Sequence, residues 1–114
     1  MVRVAVPTSD GKRVHLGHFG DAKYYYFYEL GPDGWRLVCK RENPYAGEHH
    51  HEGHGEEGKR QKILELVKDA DVLVAVAFGP GGKDYMEAHG KTVIIVKPFT
   101  TIEEALERVK EAVA

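Results

Sequence analysis

The chain opens with Val2, Val4 and Val6 alternating with Arg3 and Ala5 and halted by Pro7, the period-two pattern of a strand. Asp10-Gly11 is a tight-turn dipeptide, after which residues 12–16 are expected to return briefly as a strand. Residues 24–30 are dense in aromatics and residues 35–40 alternate again. Gly31-Pro32-Asp33-Gly34 between them is turn chemistry, so the two segments predict an antiparallel hairpin. A polar, glycine-rich stretch fills about residues 42–57, and the period then changes. Ile63, Leu64, Val67 and Ala70 recur at helical spacing within about residues 57–69, with Leu66 widening the apolar face. Residues 72–77 form a continuous apolar run, as expected for a strand covered on both faces. Gly79-Pro80-Gly81-Gly82 leads into a short helix carrying Tyr85, Met86 and Ala88 and closed near Gly90. Residues 92–96 predict another buried strand, ended by Pro98. Ile102, Ala105, Leu106, Val109 and Val113 mark a last helix, which Thr100 or Thr101 can cap while Glu103 or Glu104 reaches back.

The order is three antiparallel strands followed by helix–strand–helix–strand–helix. Right-handed crossovers then place the second half as parallel units beside the first strand. The expectation is one α/β domain over residues 1–114, with a mixed five-stranded sheet in a three-layer α/β/α stack, the arrangement of the ribonuclease H-like fold. There is no internal repeat. With 16 basic and 18 acidic residues the net charge is -2, which argues against general nucleic-acid or membrane-surface binding. No apolar run approaches the roughly 20 residues of a membrane helix, and the N-terminus lacks signal-peptide anatomy. A single cysteine excludes an intramolecular disulfide, and the reading is a cytoplasmic protein. The Glu- and Lys-rich charged fraction hints at a thermophilic source.

Candidate chemistry concentrates in His49-His50-His51-Glu52-Gly53-His54, four imidazoles within six residues. Neutral imidazole suits zinc, copper, nickel and iron. Gly47, Gly53, Gly55 and Gly58 and interspersed glutamates give the segment almost no apolar content, so it reads as a flexible surface loop. Such a loop can capture or hand over a metal; alternatively it is a solvated polar loop with incidental histidines.

Read together, several pieces resemble the dinitrogenase iron–molybdenum cofactor biosynthesis family, small NifX-like proteins also found as the C-terminal domain of NifB-type proteins. The pieces are Val4-Ala5-Val6-Pro7-Thr8-Ser9-Asp10-Gly11, then His18-Phe19-Gly20-Asp21-Ala22, the Phe27-Tyr28-Glu29 strand, and Phe78-Gly79-Pro80-Gly81-Gly82 after the apolar strand. They cover residues 2 to about 112, and the His-Phe-Gly-x-Ala element is the most specific. The resemblance implies a ribonuclease H-like fold and a binder or carrier of iron–sulfur or iron–molybdenum-type clusters or their precursors. The expected partners are cluster donor and acceptor proteins, and the chain is read as a monomer or weak homodimer.

His18 matches the family's histidine and sits between Gly17 and Gly20 near the carboxyl end of the first strand, where open α/β sheets bind ligands. It is either a ligand to one metal of a cluster or a hydrogen-bonding prop of the bend. Phe19 reads as core or as a lid over the ligand, and His15 as a second imidazole able to face the same pocket. His89, beside Gly90 at a helix C-terminus, reads as structural. Cys39 lies in an alternating strand, where a small buried hydrophobe is the default and a single thiolate ligand the alternative. A stable iron–sulfur cluster normally takes four thiolates, so one cysteine favours a transient carrier. The amides of Gly79, Gly81 and Gly82, at the start of a helix, can dock an anionic cluster or an organic acid such as homocitrate, or simply make a tight turn. The pattern lacks the Gly-Lys-Ser/Thr ending of a nucleotide loop.

No catalytic constellation emerges. Nucleases of this fold class bind two metals through carboxylates that begin on the first strand. Here that strand is Val-Arg-Val-Ala-Val, no acid precedes Asp10, and Asp71 lies just before the fourth strand. Tyr24, Tyr25, Tyr26 and Tyr28 read as sheet residues, not as a base-stacking platform. The expectation is a non-enzymatic cluster carrier. The alternatives are a divalent-metal module for zinc, nickel or copper using the histidine loop, and a small-anion sensor using the Gly-Pro-Gly loop.

Overall fold

The computed structural model describes residues 2–46 and 55–113. Its elements are β1 (Val2–Thr8), a single 3₁₀ turn (Phe19–Asp21), β2 (Tyr24–Gly31), β3 (Gly34–Glu42), α1 (Gly55–Leu66), β4 (Val72–Ala75), α2 (Gly82–Ala88), β5 (Thr92–Ile95) and α3 (Ile102–Val113). The five strands form one mixed sheet in the order β3-β2-β1-β4-β5. β1 to β3 are antiparallel neighbours, whereas β4 runs parallel to β1 and β5 parallel to β4.

Period-two alternation decides what each face of the sheet buries. Ala5, Tyr25, Phe27, Leu73 and Ala75 point to one face and pack with Phe19, Ile63 and Val67 and with Met86 of α2. Val4, Val6, Val72 and Val74 point to the other, against Ile102, Ala105, Leu106 and Val109 of α3. Two helices therefore cover one face and one helix the other. The α3 start follows the capping-box expectation with Thr101 and Glu104: the Glu104 amide donates to Thr101 Oγ1 (3.1 Å), and the Thr101 amide donates to Glu104 Oε1 (3.0 Å).

One expected strand is absent. Residues 12–16 form no strand: β2 takes one edge of β1, β4 takes the other at Val4 and Ala5, and the segment meets only the last residues of β1, through His15 N–H to Pro7 O (2.8 Å) and Thr8 Oγ1 to Arg13 O (2.7 Å). The Asp10 carboxylate instead accepts from the Lys12 and Arg13 amides, and this closure holds the carboxyl below its usual range. The segment then ties to the loop before α3, through Val14 N–H to Thr100 O and Ile102 N–H to Lys12 O, both 2.9 Å. β3 runs through Glu42, where the polar stretch is expected to begin, and α1 begins at Gly55, two residues earlier than expected.

Candidate functional site

Chain direction changes between β1 and β4: β1 continues toward β2 on one side, and β4 continues toward β5 on the other. A crevice at the carboxyl ends of such strands is where open α/β sheets place ligands. The chain brings His15 and His18 there. His15 is fixed by its amide donating to Pro7 O (2.8 Å), just before the end of β1. His18 forms a bridge with Ala77, just beyond β4, and the Phe19 amide donates to Ala77 O (2.9 Å).

The local sequence explains why this turn holds. Phe19 is 1% exposed, stacks on Phe78 with centroids 5.0 Å apart, and lies equally close to the Tyr25 ring. The Tyr25 hydroxyl donates to Phe19 O (2.6 Å), and its burial pushes the phenol far above its ordinary range, so it remains a donor. Of the two readings for Phe19, the structure gives core. Buried Asn43 ties the turn to the end of β3: Nδ2 donates to Gly20 O (2.9 Å) and Ala22 O (2.8 Å), while Oδ1 accepts from the Tyr45 amide (2.9 Å). Asn43→Ala strands these groups, at about 1–3 kcal/mol for each one left unsatisfied. We expect a loss of roughly 3 kcal/mol in urea denaturation, with a slope unchanged from wild type.

The two imidazoles differ. His18 is exposed, and its Nδ1 faces Gly79, where a Cβ would come within 3.6 Å. His15 is half-buried: Nδ1 lies 3.2 Å from Ser9 Oγ, and Nε2 has no hydrogen-bond partner among the described residues. The tautomer that donates from Nδ1 to Ser9 leaves a bare lone pair on Nε2. Desolvation pushes the His15 pKa down and a charge on His18 adds to this, while Asp21 opposes both. The ring therefore stays neutral to lower pH than a free histidine, as a metal ligand must. Nε2 is itself buried beside Gly17, where a Cβ would lie 2.9 Å from it.

Two cations border the crevice that the sequence did not single out. Lys59 of α1 pairs with Asp21, and its Cε would touch a Cβ on Gly20 at 3.4 Å. The Arg60 guanidinium donates to Pro80 O and lies over the Tyr85 ring, 5.9 Å from its centroid. Gly81 at φ +76 is left-handed and lets the Gly-Pro-Gly loop pass this guanidinium, where a Cβ would come within 2.9 Å. Gly79 and Gly81 thus line the crevice with His18, whereas Gly82 is buried, and a Cβ there would press on Phe78 at 3.0 Å.

Other candidates fall elsewhere. Cys39 sits on edge strand β3, with the Arg41 guanidinium 3.8 Å from its sulfur. Two strands separate β3 from β4, so Cys39 lies three strand spacings, about 14 Å, to the side. It does not join His18. His89 Nδ1 lies 2.8 Å from Tyr85 O, a local bond at the end of α2. His49, His50, His51 and His54 lie outside the described residues. Among the described residues no group of three or more His, Cys, Asp or Glu side chains is arranged to hold a metal ion, and no helix is long and apolar enough to cross a membrane.

Comparison with known proteins follows this geometry. The family model described as dinitrogenase iron-molybdenum cofactor matches residues 1–112. No curated protein sequence matches the chain. Among solved structures, the NMR structure of a candidate NifB protein from Thermotoga, placed in the DUF35 family, is similar at 24% identity and a TM-score of 0.64, covering 97% of this chain and 89% of that one. The crystal structure of PH0822 is similar at 20% identity and a TM-score of 0.68, covering 97% and 92%. At these identities the two structures speak for the fold alone.

Proposed function

The chain belongs to the dinitrogenase iron-molybdenum cofactor family, and from that premise we propose that it carries an iron–sulfur or iron–molybdenum-type cluster, or a precursor of one, during cofactor biosynthesis. The observation that carries this reading is the imidazole pair at the carboxyl ends of β1 and β4. His18 stands exposed, and His15 behind it holds a buried, unpartnered Nε2 beside Gly17 with its Nδ1 on Ser9, so only a shift of this turn would bring it to a ligand. Clusters of this kind are anionic, and two cations border the same crevice, Lys59 in an ion pair with Asp21 and Arg60 on Pro80 O.

The donor set supports transfer over storage. Two imidazoles without a thiolate hold a cluster more weakly than the four cysteines of a permanent site. His18 is the ligand a donor or acceptor protein can reach, and His15 is the second contact behind it. The reading is a carrier and not an enzyme. It places the chain in the cytoplasm between a cluster donor and an acceptor. We read the strand order as ribonuclease H-like, used without the acidic first strand that nuclease chemistry needs.

Anaerobic reconstitution with iron and sulfide, followed by metal and sulfide analysis and visible absorption, tests the proposal. Wild type is expected to take up iron and sulfide stoichiometrically. His18→Ala should lower affinity at least about tenfold. A variant with His49, His50, His51 and His54 all changed to alanine should retain uptake. Zinc or nickel binding that survives His18→Ala and disappears with the four loop histidines would replace the carrier with a divalent-metal module.

A further inference from the structure

β5 closes one side of the sheet: it pairs with β4, and its outer edge is unpaired among the described residues. A groove along that edge is bordered by Val93, Ile94 and Ile95 and by Arg108, Glu111 and Ala112 of α3; Ile94 packs on the α3 face, and Val93 on the opposite face, to which alternation also turns Ile95. Ile95 is 41% exposed, and no charged side chain interrupts the three apolar residues of the strand. Arg108 and Glu111 are exposed, stand three positions apart on one helix, and make no ion pair with each other or with any other described residue.

We propose that this edge is the interface between two copies of the chain, related by a twofold axis normal to the sheet. Such an axis sets β5 antiparallel to its copy, extends the hydrogen-bonded ladder, and leaves both α3 helices on the same face. The helices then run antiparallel across the axis. With the axis passing between Val109 and Lys110, Arg108 lies opposite Glu111 of the partner subunit, and Glu111 lies opposite the partner's Arg108. One cation and one anion on the same groove are self-complementary in this pairing. They offer no preference for an acidic or a basic strand from another protein, which is why a second copy is the occupant. The edge is only four residues long and Pro98 follows it closely, so the dimer is weak and reversible. Because the two β5 strands run in opposite directions, the two His18 crevices lie at opposite ends of the joined sheet. Each chain keeps its own site, and no cluster is shared.

Sedimentation velocity of the full chain over a wide concentration range tests this without reference to cargo. Wild type should show a reversible monomer–dimer equilibrium. Arg108→Glu should weaken it about tenfold, because symmetry applies each charge reversal twice. Arg108→Glu combined with Glu111→Arg should restore the wild-type constant, and Ile95→Lys should abolish the dimer. All three positions tested are exposed, and unchanged thermal melts should accompany the variants. A wild type that stays monomeric overturns the proposal, as does a dimer indifferent to Arg108→Glu or a double variant no better than the single one. Iron uptake per chain should be the same in Ile95→Lys as in wild type, so failure of the interface leaves the cluster reading standing.

Discussion

Val74→Asp is expected to yield a chain that does not fold. Val74 is 0% exposed in β4, which lies between β1 and β5, and it packs among Val4, Val6, Ala105 and Leu106 against α3. It sits within a hydrophobic cluster, so a carboxyl placed there loses its hydration. Burying an isolated carboxylate costs more than the 5–15 kcal/mol by which a domain is ordinarily stable, and even the protonated acid loses several kcal/mol of hydration. Val74→Ala serves as the control, costing about 2–3 kcal/mol as a cavity while leaving a cooperative transition. Circular dichroism during heating separates them: a sigmoidal melt for alanine and none for aspartate. A soluble Val74→Asp chain that melts cooperatively would mean that β4 is not the buried strand of this sheet.

The same position shows why much of the fold was legible in the sequence. β4 is covered on both faces, so its sequence is an unbroken apolar run, and β1, covered on both faces from Val4 onward, is charged only at Arg3 near its start. The hairpin of β2 and β3 was written in Gly31-Pro32-Asp33-Gly34, and the α3 cap in Thr101 and Glu104. Residues 12–16 misled because Val14 alternates with polar neighbours as a strand residue would. Whether a strand forms depends on a free edge, and β1 leaves the segment only its last residues, where His15 N–H meets Pro7 O. That information is held by β2 and β4, far along the chain. His18 and His15 were legible as candidates because glycines and a strand end bracket them. Lys59 and Arg60 were not, since cations in the first turns of a polar helix read as its solvated face. Only the packing of α1 beside the Phe19–Asp21 turn and the Gly-Pro-Gly loop brings them to the crevice.

Phe19→Ala is expected to lower stability by about 3–5 kcal/mol and to impair cluster uptake in the molecules that remain folded. The ring is buried between Phe78, which precedes the Gly79 loop, and Tyr25 of β2. Removing it opens a cavity under both segments that border the crevice. The bonds from Phe19 N–H to Ala77 O and from the Tyr25 hydroxyl to Phe19 O then hold a turn with nothing beneath it. His18 stands one residue before that turn, so its position against Gly79 depends on the same support. Phe19→Leu keeps much of the volume and should lose less stability while retaining uptake. Urea denaturation gives the first quantity, and anaerobic reconstitution below the unfolding transition gives the second. A cost under about 1 kcal/mol for Phe19→Ala would assign the ring to a lid instead of the core, since a side chain that covers a ligand contributes little to the stability of the empty fold. A full core cost with undiminished uptake would show that His18 binds independently of the turn beneath it, and that the crevice between β1 and β4 is not what organises the site.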